Sequence, residues 1–115
     1  MMMNIKQLSI FLPLFFVSLV SCENTTSDFD LLCGYFDALG KHNSQQEMTA
    51  DDKFKFINGL VSENLIEESA ARISFNAIVG YVPVDGRYAL YKSTTEEVLG
   101  KSWQCDSMEA LLQDL

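Results

Sequence analysis

A run of thirteen residues near the start, Leu8 to Val20, decides how much of this 115-residue chain is left to fold. Only Ser9, Pro13 and Ser18 interrupt it, and a short polar start with one cation, Lys6, precedes it. Its length falls within the ~7–15 residues of a secretory apolar segment and short of the ~20 a membrane-spanning helix needs. Pro13 argues further against a continuous spanning helix. A buried helix of a globular fold would carry a polar face at helical spacing, and this run has none. The segment therefore reads as an export signal, and the fold belongs to the residues beyond it.

The run closes on Leu19-Val20-Ser21-Cys22. An ordinary secretory cleavage site wants small residues in an A-x-A-like pattern, and Leu19 is too large for that. Leu-Val-Ser-Cys resembles the lipobox of bacterial lipoproteins, and the resemblance covers residues 1–22 only. It implies a signal peptide over 1–21, cleavage before Cys22, a diacylglyceryl group on the Cys22 sulfur and acylation of the new amine. Cys22 is then the lipid attachment point. In that family an Asp after the cysteine marks retention in the inner membrane; Glu23 stands here, which implies the outer membrane, facing the periplasm. One acyl chain holds a protein only marginally, at about 0.8 kcal/mol per buried methylene, whereas several make attachment stable. The tether Glu23–Ser27 spans at most ~15–18 Å, so residues 28–115 are expected as one small domain close to its membrane.

Charge narrows the partners. Eight Lys and Arg face sixteen Asp and Glu, a net charge of −8, and loss of Lys6 makes the domain more acidic still. That argues against nucleic acid, which rewards clustered cations, and against electrostatic binding to anionic lipid. It suits solubility or a basic protein partner. With Cys22 assigned to lipid, Cys33 and Cys105 form an even pair in an oxidising compartment. A bridge between them closes a loop worth on the order of 4 kcal/mol in the chain-entropy view. The alternative is two separate buried thiols.

Helical spacing recurs throughout and period-two alternation does not, so the expected fold is all-α: a small bundle of four to five short helices with one disulfide. Residues 28–39 form the first helix, capped by Ser27 or Asp28, with Phe29, Leu32, Cys33, Phe36 and Leu39 inward and Gly40 as a stop. Lys41 to Glu47 reads as a polar loop holding His42 on the surface. Thr49 caps the second helix with Asp52 in a capping-box position, and Phe54, Ile57, Leu60 and Val61 form its buried edge. A break near Ser62–Asn64 leads to the most apolar helix, about Ile66 to Val82. Ile66, Ala70, Ile73, Ala77 and Tyr81 make one stripe on it, and Ala71, Phe75, Ile78 and Val82 another. Only Ser69, Arg72 and Asn76 form a polar line, with Arg72 expected to pair with an acid. Such a helix is expected at the centre of its domain. After the Pro83–Gly86 turn, a helix carrying Tyr88, Tyr91, Thr95, Val98 and Leu99 ends at Gly100. Glu96 and Glu97 read as its solvated side. An Asp106–Glu109 capping box then opens the last helix, with Met108, Leu111, Leu112 and Leu115 on one side.

No Ser/His/Asp set, Gly-rich phosphate loop or metal-ligand spacing stands out. The expectation is therefore no enzyme, no cofactor and no metal. The chain is expected to be a lipid-anchored, periplasm-facing binding or structural accessory protein with a protein partner. The alternative is an inhibitor or immunity-type protein that blocks a cell-wall-degrading enzyme.

Overall fold

The computed structural model describes residues 27–115. The expected signal segment 1–21, Cys22 and the expected tether as far as Thr26 lie outside them. The described part holds five helices: α1 (Asp28–Gln45), α2 (Ala50–Asn64), α3 (Ala70–Tyr81), α4 (Arg87–Leu99) and α5 (Asp106–Leu111). Short 3₁₀ turns, Val84–Gly86 and Leu112–Asp114, precede α4 and succeed α5. No strand occurs among the described residues, and the class is all-α.

The helix starts obey local chemistry. Ser27 Oγ accepts the Asp30 N–H at 3.1 Å and caps α1. At α2 the Thr49 hydroxyl accepts the Asp52 N–H while the Asp52 carboxylate accepts the Thr49 N–H, the reciprocal capping box its sequence predicts. Gly100, at φ +72°, ends α4 in the left-handed conformation that glycine adopts without a Cβ penalty. At α5 the expected capping box is absent. Cys105 occupies the cap position with no side-chain cap, Asp106 is already helical, and its carboxylate accepts the Gln104 side-chain amide instead.

Two boundaries differ from those expected. α1 does not stop at Gly40 but runs to Gln45, so His42 lies in its last turn rather than in a loop. A mid-helix glycine costs up to about 1 kcal/mol but does not end α1; it lies beside α5, where even a Cβ would meet Leu111 Cδ1 at an ordinary 3.6 Å. α3 starts at Ala70 rather than near Ile66, because Ser69 Oγ accepts the Arg72 N–H and sets the cap there. The residues expected to break before it, Ser62–Asn64, are the last of α2.

The central helix is α1, which packs against α2, α3 and α5. Phe29, Leu32, Phe36 and Leu39 are buried along it, each worth roughly 1.5–3 kcal/mol of apolar burial. Phe36 meets Phe75 of α3 edge-on, and Phe29 meets Tyr91 of α4. The Tyr91 hydroxyl donates to Ala71 O at 3.0 Å, and burial pushes its phenol well above the usual range. α3 is not central. It sits against α1 and α4, its buried residues are Ala71, Phe75 and Ile78, and its other apolar stripe faces solvent.

Cys33 and Cys105 come together as expected, with Cα atoms 5.8 Å apart and sulfurs at bonding distance. The pair fastens α1 to the start of α5. Ser107 Oγ lies 3.4 Å from Cys105 Sγ and donates to Cys33 O.

Candidate functional site

At 100° per residue, the buried side of α3 is set by Ala71, Phe75 and Ile78, and the opposite side by Ala70, Ile73, Ala77, Gly80 and Tyr81. The second group is exposed: Ile73 is 54% accessible and Tyr81 89%. Ile66, just before the helix, is 68% accessible and extends the same apolar series. Isolated exposed apolar residues are ordinary; several on one helix face are the informative case.

Arg72 is the only charged side chain within Ala70–Tyr81, and it does not meet the acid expected of it. Its Nη1 donates to Leu65 O at 2.7 Å, which draws the guanidinium back over the α2–α3 linker. The outer face of α3 is thus apolar and uncharged along its length, with Asn76 its only exposed polar side chain. The linker supplies the charge at one end. Leu65 is buried and pins it, while Glu63, Ile66, Glu67 and Glu68 project outward. With Arg72 they line a shallow, open concavity of about 410 Å³. The face thus combines exposed apolar area with acids at one edge.

Several polar residues hold the scaffold and take no part in this face. Arg87 is buried, and its Nε and both Nη atoms donate to Val82 O, Val79 O, Leu112 O and Leu115 O. It joins the end of α3 to the C-terminal turn. Sequence reasoning passes over it, and the one signal is a cation at a helix start, where the helix dipole disfavours it. Glu96 is more than the solvated acid expected. It accepts from Lys92 Nζ and from the Trp103 N–H, and these bonds hold its carboxyl below the usual glutamate range. Asp30, in the first turn of α1, accepts the Trp103 indole N–H at 3.0 Å. Trp103 is therefore fastened from α1 and α4 together. Lys53 pairs with Asp114 at 3.4 Å. His42 is exposed and stacks on Phe56 at 5.3 Å.

Among the described residues no helix is long and apolar enough to cross a membrane, and no three His, Cys, Asp or Glu side chains group as a metal would need. Comparison with protein-family models, with curated proteins and with solved structures finds no match for the chain.

Proposed function

We propose that this is a lipid-anchored binding or structural accessory protein of the bacterial cell envelope. It is held through Cys22, faces the periplasm from the outer membrane, and docks a protein on the outer face of α3. The observation that carries the reading is that face: Ile73 and Tyr81 lie in water with no charge between them, and Ile66 prolongs the series. Burying each against a partner is worth roughly 1.5–3 kcal/mol before the costs of association. The anchor rests on Leu19-Val20-Ser21-Cys22, and the paired Cys33 and Cys105 suit an oxidising compartment. The acidic surface argues for a protein ligand and against nucleic acid. No catalytic role and no cofactor are assigned.

A second reading has its own support. The linker presents Ile66 between Glu63 and the Glu67-Glu68 pair, a projecting acidic element suited to the basic cleft of a cell-wall-degrading enzyme. In that case the protein is an inhibitor or immunity-type partner of that enzyme.

Fractionation of cells expressing the full chain tests the anchor. The parent is expected in the membrane pellet, carrying acyl mass on a mature N-terminus at Cys22, and Cys22→Ser in the soluble fraction or stalled as precursor. An unacylated N-terminus at another residue overturns it. Co-purification separates the two readings. Ile73→Glu and Tyr81→Glu abolish partner recovery if the α3 face docks, whereas Glu67→Lys with Glu68→Lys does so if the linker is an inhibitory element.

A further inference from the structure

Two glycines in this chain follow a side chain that can cyclise onto the next amide: Gly59 after Asn58, and Gly86 after Asp85. A glycine leaves its nitrogen open to attack, because it has no side chain to shield it. In an unfolded chain Asn-Gly reacts the faster of the two, since an amide carbonyl is a better electrophile than a carboxylate. The fold reverses that order. We propose that Asp85-Gly86 is a self-modifying site, which converts to isoaspartate through a cyclic imide while Asn58-Gly59 stays intact. The reaction needs no partner and stands apart from the docking at α3. In helical backbone the side-chain carbonyl carbon is turned away from the next nitrogen, so either reaction waits on local opening. Asn58 and Gly59 lie mid-way along α2, between the buried Ile57 and Val61. Opening there lifts the helix off the core, at a cost near that of global unfolding. Asp85 and Gly86 are both exposed, in a three-residue turn with no buried member. Two backbone bonds hold that turn, Gly86 N–H to Pro83 O at 3.2 Å and Arg87 N–H to Val84 O. Each ~1.4 kcal/mol by which opening is easier raises the open population about tenfold.

The chemistry balances with water alone. The Gly86 nitrogen bonds to the Asp85 side-chain carboxyl carbon. A carboxyl oxygen leaves as water, carrying off the amide hydrogen and one proton taken from solvent. Water then opens the imide and returns that proton. Attack at the former side-chain carbonyl regenerates aspartate. Attack at the former backbone carbonyl leaves the main chain running through the Asp85 Cβ, one carbon longer. That extra carbon falls inside both backbone bonds of the turn. It also comes directly ahead of Arg87, whose buried guanidinium donates to Val79 O and Val82 O at the end of α3 and to Leu112 O and Leu115 O beyond α5. Conversion therefore loosens the tie that Arg87 makes between α3, α4 and the C-terminal turn.

Storage of the purified full chain at neutral pH, followed by peptide mapping, tests this. Methyl transfer from S-adenosylmethionine by an isoaspartyl methyltransferase reports the product. Isoaspartate is expected to accumulate at position 85 and not at position 58, and the order is expected to invert when the same chain is held in denaturant. Gly86→Ala is expected to remove most of the product at 85. A Cβ there meets nothing within 4 Å, and a φ of −103° suits alanine, so that variant keeps the fold. The converted fraction, separated by chromatography, is expected to unfold at a lower temperature than the unconverted chain. Absence of product at 85, product at 58 ahead of 85 in the folded chain, or conversion at 85 that Gly86→Ala leaves unchanged overturns the site. Conversion with an unchanged unfolding midpoint overturns its link to Arg87.

Discussion

α2 and α3 each turn one side to solvent, and the two sides are built from opposite residues. Along α2 the exposed positions include Asp51, Asp52, Lys55, Ser62, Glu63 and Asn64, with Lys55 bonded to Asp51 at 2.9 Å one turn away. Along α3 they are Ala70, Ile73, Asn76, Ala77, Gly80 and Tyr81. Both helices bury a similar inner edge, Ile57 and Val61 in one and Ala71, Phe75 and Ile78 in the other. The fold thus uses the same device twice on the inside and diverges only where water is the neighbour. A charged outer side needs nothing further. An apolar one buries little in the fold, and the proposed docking is the use we assign to it.

The sharpest test of that difference compares two residues of the same helix. Phe75→Ala is expected to cost about 3–5 kcal/mol, as for a large aromatic removed from a packed core. Ile73→Ala is expected to stay within about 0.5 kcal/mol, as for an exposed position. Denaturant titration of both decides it, and a large loss at Ile73 would erase the contrast. Next in size is the Cys33–Cys105 link. Reduction, or Cys33→Ser, is expected to lower stability by roughly 2–5 kcal/mol, with the double serine variant close to either single. Because the link joins α1 to α5, α3's outer face should keep its binding at temperatures where the reduced protein remains folded. Smallest is the pH response of Glu96. Its folded carboxyl titrates below the ordinary glutamate value because Lys92 and the Trp103 N–H bond to it. Its contribution is therefore complete above the ordinary value and fades as pH falls through the lowered one. A slight drop in the unfolding midpoint in that acidic window, absent in Glu96→Gln, is the expected result.

The helix count, the α2 capping box, the Gly100 stop and the cysteine pair are legible because each is written within a few residues or in simple cysteine arithmetic. The orientation of α3 is not. Its sequence carries two apolar stripes of equal quality, and periodicity alone puts the whole helix at the centre. Which stripe is buried depends on where α1 and α4 lie, and a bundle of short helices has only one such side to offer. Gly40 reads as a stop because a glycine after an apolar series is the local mark of one, whereas its helix runs on to Gln45. Arg87 is hidden for a related reason: its partners are backbone carbonyls, which leave no pattern in the sequence. The docking face is present as residues from the start, but its exposure is a tertiary fact.

The proposed docking makes the outer side of α3 a contact surface and the outer side of α2 plain solvated helix, and on that contrast it stands or falls. A photo-cross-linking amino acid placed in the full chain at Ile73, and in parallel at Lys55, measures this directly in intact cells. Discrete higher-mass adducts are expected from position 73 and none from position 55. No adduct at 73, or the same adducts from both positions, would contradict it.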